Sequence, residues 1–466
     1  MEKLPTMATV ETLRRGVSTN QLICEGMIMK CINCGTDNNL KDRTANQGRC
    51  TNCNHRFVFE PTTMGNVKIT DPMFAKAIAD LSAHHSLFFT PKQLLYFLDH
   101  RLRSKSFSSV WGWLLTYLFF NIWVTIFFGG ILGWLFAAIK ISGNVVVNLI
   151  FQICYIYYLY SNTNSHKLNN KSRKASARSL QIIGVIILVV GIYASVAVYE
   201  SFILFVIYVI LGMLSIYLGT KQLRQTGLTQ EFLFTQNQFQ DWMNSWSKVN
   251  GSVVKMLPSL REERILPAAV NPDVTAYSFD RLIVCDSAAI AQLLIANNFH
   301  FENNCAILSI TGYPQSIFAT TMQMLRRNPD LNVYALHDCS PRGISLVHQL
   351  RTSTNWFYNS NVMIIDVGIL PHQIIAAKRG MFIQTSQELA QEAKQLPIEV
   401  RQSLSTQELE WLESGNFVEL ESFTPQTLIQ ILHRSIAGSR ELDSNDSSFI
   451  LVGDSGSGIY AVENFG

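Results

Sequence analysis

Between residues 110 and 218 the chain carries two long apolar runs, separated by the polar, basic segment SNTNSHKLNNKSRKASARS. A helix crosses a bilayer with about 20 apolar residues, so each run is long enough to cross twice. VWGWLLTYLFFNIWVTIFFGGILGWLFAAI supplies one tilted helix and VVVNLIFQICYIYYLY a second. QIIGVIILVVGIYASVAVY and FILFVIYVILGMLSIYLG supply a third and a fourth, parted at Glu200 and Ser201. The expected spans are 110–139, 143–160, 180–199 and 201–218. They contain almost no ionisable residues, which favours an anchor over a transport path. Asn121, Asn148 and Gln152 are expected to hydrogen-bond between helices.

The pattern on either side is that of folded domains. DPMFAKAIADLSAHH and TPKQLLYFLDHRLRS have apolar positions at helical spacing, with Asp71 and Thr90 as expected N-caps and Pro72 and Pro91 at the first helical positions. They predict a helical hairpin. After the apolar block comes a connector with one helix, QNQFQDWMNSWSKV. From residue 280 onward three apolar runs end in aspartate, RLIVCD, VYALHD and VMIID, and a fourth, CAILSITG, ends in glycine. Helical patterns alternate with them: SAAIAQLLIANN, PQSIFATTMQMLRRN and GISLVHQLRTS. That alternation predicts a parallel sheet with crossover helices. Ligands of such sheets gather beyond the carboxyl ends of the strands. Asp286, Asp338 and Asp366 would stand there, as candidate Mg2+ ligands and, for Asp286 and Asp338, candidate catalytic groups. Each could instead cap the following helix, as Asp286 before SAAIAQ would.

Cysteine usage adds a metal site. Cys31 and Cys34 form one CxxC knuckle, Cys50 and Cys53 another, with 15 residues between the pairs. Two such knuckles close a tetrahedral S4 shell, so structural zinc is expected in a ribbon over 29–61. Gly35 and Asn54 suit the turns that follow the knuckles. His55 is expected outside the ligand set, Cys24 is a bystander, and His84, His85 and His100 lack ligand spacing. Cys285, Cys305 and Cys339 read as small buried hydrophobes. Nine cysteines used this way suit a reducing compartment rather than a disulfide framework.

Charge refines the picture. Charged residues make up 15% of the chain against 48% hydrophobic, with mean hydropathy +0.15, as in a membrane protein with soluble parts. Residues 1–219 carry 20 Lys+Arg and 10 Asp+Glu, a balance of +10. Residues 220–466 carry 17 and 24, a balance of −7, and the two sum to the net +3. The acidic half is not the footprint of a general duplex-DNA binder. Basic residues flank the apolar block: Arg101, Arg103 and Lys105 before it, Lys167, Lys171, Arg173, Lys174 and Arg178 in its middle, Lys221 and Arg224 after it. The two short connections hold only Lys140 and Glu200. By the positive-inside rule all three basic flanks are cytoplasmic, which gives an integral membrane protein with four spans and both termini in the cytoplasm. The N-terminus lacks the apolar core of a secretory signal. The expected organisation is therefore a lead-in (1–28), zinc ribbon (29–61), helical linker (62–108), four-helix transmembrane block (109–219), connector (220–279), α/β domain (280–437) and flexible tail (438–466).

The segment LSITGYPQSIFATTMQMLRRNPDLNVYALHDCSPRGISLVHQL resembles the Toprim domain of the topoisomerase VI A subunit, together with its meiotic double-strand-break relatives. Gly312 and Pro314 match the family's Gly-x-Pro turn, and Asp338, Pro341 and Gly343 its Asp-x-Asp-Pro-x-Gly motif. VMIIDVGILPHQI resembles the strand that follows, and QLPIEVRQSLSTQELEWLESG the helical C-terminal part, so the likeness covers about 280–437. The resemblance implies a Toprim fold, Mg2+ and nucleic-acid chemistry. Departures accompany it. The family's first-strand glutamate falls at Cys285, with Asp286 one place late, and the second aspartate of the motif is Ser340. Tyr277 lacks the Arg-Tyr context of a cleaving tyrosine, and the apolar block stands where the family's preceding winged-helix domain would be. GDSGSG at 453–458 resembles a protease nucleophile loop without its context.

The leading expectation is a membrane-anchored cytoplasmic Toprim-like module for binding or assembly, related to nucleic acid, nucleotide or a protein partner, with a degenerate metal site. Gly312, Pro314, Arg342 and Gly343 would form its ligand-binding edge, with Arg342 placed to meet phosphate. The alternative is a Mg2+-dependent nuclease or phosphotransferase at the membrane using Asp286, Asp338 and Asp366. A third reading is a transporter with regulatory domains.

Overall fold

The computed structural model describes residues 28–65, 67–105, 109–136, 143–165, 170–224, 229–258, 279–326, 328, 330–376 and 381–438. Cys24, Lys140, Lys167, Tyr277, the segment 453–458, all but the last residue of the 1–28 lead-in, and all but the first residue of the 438–466 tail lie outside the described residues. The chain divides into two compact units. One comprises residues 1–80 and 237–253, the other 81–236 and 254–466. The stretches expected as linker and connector are thus each shared between the two.

In the first unit, strand β1 (Met29–Lys30) pairs antiparallel with β2 (Asp37–Asn38). The two knuckles turn as their sequences require. Gly35 at φ +73° and Asn54 at φ +58° both take left-handed backbone, and their N–H groups donate to the carbonyls of Cys31 and Cys50. Helix α1 (Leu40–Ala45) lies between the knuckles, started by a capping box in which Asn39 and Asp42 bond reciprocally. The Arg43 side chain is buried and donates to Glu60 (2.9 Å) and the Asn38 carbonyl (2.8 Å). Helix α2 spans Asp71–Leu81. Asp71, expected to cap it, is its first residue, and its carboxylate accepts from the N–H groups of Val58 and Phe59, tying helix to ribbon. The predicted continuation to His85 stops at Leu81, since Ala83, His84 and His85 all have positive φ.

In the second unit, helix α3 (Pro91–Lys105) opens with a Thr90/Gln93 capping box. Four helices long and apolar enough to cross a membrane follow: α4 (Val110–Phe136), α5 (Gly143–Asn164), α6 (Asn170–Tyr193, continued by a π turn over Ala194–Val198) and α7 (Phe202–Arg224). All four expected runs are helical, but three are longer than expected. Helix α6 begins ten residues before residue 180, so Arg173, Lys174 and Arg178 lie on its first turns instead of in a loop. Lys174 and Arg178 are exposed there, as long basic side chains allow, whereas Arg173 is buried and donates from Nε to the Thr163 carbonyl (2.9 Å). The expected polar contacts form between helices: Asn148 donates to Thr125 (3.0 Å) and Asn121 (3.3 Å), and Tyr117 donates to Gln152 (2.9 Å). Helix α8 (Gln236–Asn250) lies almost wholly in the first unit, where Phe239, Met243 and Trp246 form its buried face and Trp246 meets Phe59 and Phe74.

The remainder is an α/β domain. Strands β3 (Arg281–Cys285), β4 (Cys305–Ser309), β5 (Asn332–Leu336) and β6 (Met363–Asp366) form one sheet, all parallel, in the order β4-β3-β5-β6. The four apolar runs read from the sequence are these four strands. Their alternating residues feed two cores. Ile283, Cys285, Ile307, Tyr334 and Leu336 pack with helix α9 (Ala288–Ala296) and the C-terminal helices. Leu282, Val284, Leu308, Val333 and Ala335 pack with Met322, Leu346 and Trp356 on the other face. Cys285, Cys305 and Cys339 are fully buried, as expected of small hydrophobes. The chain leaves β3 toward β4 and returns to place β5 on β3's opposite side, so the topological switch point lies between β3 and β5. A two-stranded antiparallel ribbon of β7 (Gln384–Thr385) and β8 (Asn416–Phe417) and short helices complete the domain.

Small residues set the approach of α6 to α7. A Cβ at Gly212 would stand 2.5 Å from Leu188 Cγ, and one at Gly184 would stand 2.8 Å from the Gly212 carbonyl oxygen. Gly212→Leu is therefore expected to destabilise the protein by about 1–3 kcal/mol through overpacking. Val189→Leu, at a position facing outward, should be neutral. Thermal unfolding in detergent compares the two.

Candidate functional site

Two clusters of chemistry stand out, one in each unit. In the first, the Sγ atoms of Cys31, Cys34, Cys50 and Cys53 all lie within 4.8 Å of one another. Cys31 and Cys53 are 3.6 Å apart, as are Cys34 and Cys50. Zinc–sulfur bonds of about 2.3 Å in a tetrahedron imply sulfur–sulfur edges of about 3.8 Å, so the spacing fits one ion. Asn38, buried, donates to Cys50 Sγ (3.5 Å) and orients that sulfur. Burial pushes the Cys31 thiol up to about 12, whereas the hydroxyl and N–H of Thr36 draw Cys34 down to about 6. Thiolates this close need a cation to coexist. His55, half-buried, lies outside the cluster, as expected.

The second cluster is at the carboxyl ends of β3 and β5, the switch point of the sheet. Asp286 and Asp338 follow these strands closely. The Asp338 N–H donates to Asp286 Oδ2 (2.6 Å), and the Leu420 N–H donates to Asp338 Oδ1. The cap of α9 is Ser287, whose hydroxyl accepts from the Ala289 N–H, so Asp286 does not cap that helix. An antiparallel bridge between Cys339 and Val418 carries Glu419 and Glu421 to the same edge. From the N-terminal side α3 brings Lys92, whose Nζ lies 2.6 Å from Glu419 Oε1 and 3.7 Å from Glu421 Oε2. Thr90 donates to Glu421 Oε1 (2.8 Å) and Tyr96 to Glu419 Oε2 (2.6 Å).

The electrostatics follow from crowding. Burial, then Asp286 and Glu419, raise the Asp338 carboxyl well above its ordinary value. Burial also raises Asp286 and Glu421. Burial works against the Lys92 ammonium, but Glu419 and Glu421 outweigh it and hold its value above 10.5. Beneath this edge His337, fully buried, holds Asp366: Nε2 meets Asp366 Oδ1 at 3.0 Å and Nδ1 meets the Asp338 carbonyl at 2.8 Å. Gly343 and Gly368 close over this segment. A Cβ at Gly343 would lie 2.2 Å from the Asp338 carbonyl oxygen, and one at Gly368 would lie 2.3 Å from the His337 ring.

Residues 281–434 match the Toprim domain family defined by topoisomerase 6 A subunits and Spo11. This part of the chain is a Toprim domain. The match covers 281–434 of 466 residues, about a third of the chain. Among curated proteins the chain finds no match.

Toprim domains bind Mg2+, which demands near-octahedral oxygens at about 2.1 Å. The Toprim edge as folded does not offer them. Among the described residues only the four cysteines bring three or more ligand atoms together. Asp286 and Asp338 each turn an oxygen to a backbone N–H, and Asp366 faces His337 and the Gly368 N–H (2.9 Å). The second oxygen of Asp286, Oδ1, is buried without a partner, but one such oxygen does not make a divalent seat. Of the expected ligand-binding residues, Gly312 makes the turn after β4 at φ +84° with Pro314 following. Gly343 is buried against Asp338, where it permits close approach. Arg342 is exposed and paired with Glu392 (Nε to Oε2 2.9 Å). Sequence reading missed Lys92, Glu419 and Glu421. One signal was available: Lys92 stands in the first turn of a helix, where the helix dipole disfavours a cation unless an outside carboxylate offsets it.

The His337–Asp366 pair has a definite pH signature. His337 is raised above 6.5, since Asp366 outweighs the cost of burial, and Asp366 is lowered below 3.8, since His337 does the same. The raised histidine contributes stability fully below 6.5 and loses it as pH climbs through its folded value. The lowered aspartate contributes fully above 3.8 and loses it as pH falls through its folded value. The pair is therefore complete between 3.8 and 6.5. Asp366→Asn should cost ~3 kcal/mol in that window, and the difference from wild type should shrink above it. Denaturant unfolding at a series of pH values measures this.

Proposed function

We propose that this protein is a membrane-anchored Toprim module that binds nucleic acid or a nucleotide at the cytoplasmic face without cutting it, with a structural zinc ribbon as a second binding head. The observation that carries this reading is the internal neutralisation of the Toprim edge. Its carboxylates are bound to Lys92, Thr90, Tyr96 and backbone N–H groups, in a domain whose family acts on nucleic acid. A cleaving site needs those oxygens free for Mg2+ and a nucleophile beside them.

Anchoring is supported by the apolar surface of the four helices. Trp111, Leu115, Phe119, Ile122 and Ile126 form an exposed stripe along α4, and Val189, Phe202, Ile210 and Met213 are exposed on α6 and α7. Apolar surface of this extent belongs in lipid. A shared side for the segments before and after the block is supported by direct contact. Asp99, on α3, accepts from the Leu233 N–H (2.8 Å) and pairs with buried Arg103, which also donates to the Glu231 carbonyl. The basic flanks support a cytoplasmic position for that side.

Two measurements test the reading on full-length protein in nanodiscs. Labelled single-stranded oligonucleotides and nucleotides, titrated with and without Mg2+, should bind saturably and remain intact. Arg342→Glu should weaken oligonucleotide binding and lower the salt slope by about 1. Mg2+-dependent breakage abolished by Asp338→Ala would instead establish the nuclease reading. For the ribbon, elemental analysis should find one zinc per chain, lost in Cys50→Ser.

A further inference from the structure

The family's cation has no seat among the carboxylates of the Toprim edge, yet four of them stand there. We infer that the ammonium of Lys92 is the resident cation of this edge, carried in by the helix that precedes the apolar block, and that it excludes divalent metal. The geometry is specific. Lys92 Nζ touches Glu419 and lies within ion-pair distance of Glu421. Neither glutamate belongs to the motif shared with the family; both arrive through the Cys339–Val418 bridge.

The helix is fixed there by more than the charge. Gln93 Nε2 donates to the Phe423 carbonyl (3.0 Å), just beyond the two glutamates. Phe88 and Asn297 exchange two hydrogen bonds, Phe88 N–H to Asn297 Oδ1 (2.8 Å) and Asn297 Nδ2 to the Phe88 carbonyl (3.0 Å). Tyr96 packs edge-on against Phe382 at 5.1 Å. Residues 88–96 thus form a strap over the edge, and Lys92 is its one cation directed at the carboxylates. The raised values of Asp286, Asp338 and Glu421 agree with an edge at which four acids outnumber the cations, Lys92 on the strap and His337 beneath. Removing that charge leaves the acids either to take up a divalent ion or to separate the strap from the sheet. An arginine in its place would keep the charge.

The test uses full-length protein in detergent micelles loaded with zinc, with Mn2+ as the probe. Mn2+ binding is read by the loss of its free paramagnetic resonance signal, and Mg2+ response by the melting temperature. Wild type and Lys92→Arg should show no saturable Mn2+ binding and no Mg2+-dependent rise in melting temperature. Lys92→Met should melt lower without metal and bind one Mn2+ saturably where wild type binds none. Mg2+ should restore its melting temperature, and Asp338→Asn in the same background should abolish the gain. Saturable Mn2+ binding by wild type, lost in Asp338→Asn, would overturn the inference whether or not Lys92→Met folds. So would a folded Lys92→Met protein that binds no Mn2+.

Discussion

Placing several carboxylates at one end of a parallel sheet carries an electrostatic cost, and the second unit is built around how that cost is met. Two like charges a few ångströms apart repel by several kcal/mol at the effective dielectric of a protein surface, roughly 4 at 4 Å. Asp286 and Asp338 are brought together by topology, because β3 and β5 are neighbours and their following loops diverge there. Glu419 and Glu421 are added by the return of the C-terminal part. Backbone N–H groups absorb part of the charge, and one ammonium from a distant part of the chain absorbs more. Helix α3 is consequently a component of the Toprim edge as much as a lead into the apolar block.

That dual role explains why the fold was more legible than the site. Apolar runs such as RLIVC and CAILS are signals confined to a few residues, and burial on both faces of a parallel sheet requires them. Each run fell where it was expected, as did the cysteine knuckles with Gly35 and Asn54. The four apolar helices were equally plain, because about twenty successive apolar residues admit few other structures. The site depends on partners far apart in sequence. Lys92 and Glu419 are separated by 327 residues, and no periodicity links them. VELES looks like an ordinary alternating edge segment until Val418 is seen to bridge Cys339. Asp286 illustrates the reverse case. Its position before a helix suggested a cap, yet the neighbouring Ser287 caps equally well, which frees the carboxylate to accept from Asp338.

Helix ends were misjudged for a related reason. Hydropathy marks where a helix would leave lipid, not where its hydrogen bonding stops. Helix α6 runs from Asn170 through a basic first turn, and its far end passes through a π turn to Glu200 at φ +47°. The polar groups within the bundle follow the same economy as the Toprim edge. Asn148 serves Thr125 and Asn121 and accepts from Tyr208 (3.4 Å), so a half-buried amide is satisfied by three neighbouring side chains.

The two themes meet at Asp99. Its carboxylate, one helical turn beyond Tyr96, holds Arg103 and also accepts from Leu233, which lies past the last apolar helix. A contact of this kind requires the chain to leave and return on one side of whatever the helices cross. With four helices crossing a bilayer the requirement is met, whereas an odd count would tear Leu233 from Asp99 and leave a buried carboxylate and guanidinium short of partners. The same α3 helix thus holds the segment after the apolar block through Asp99 and carries Lys92 to the carboxylates of the Toprim edge. Lys92 and Asp99 stand about two helical turns apart on it, so the Toprim edge and the Leu233 contact share one rigid element.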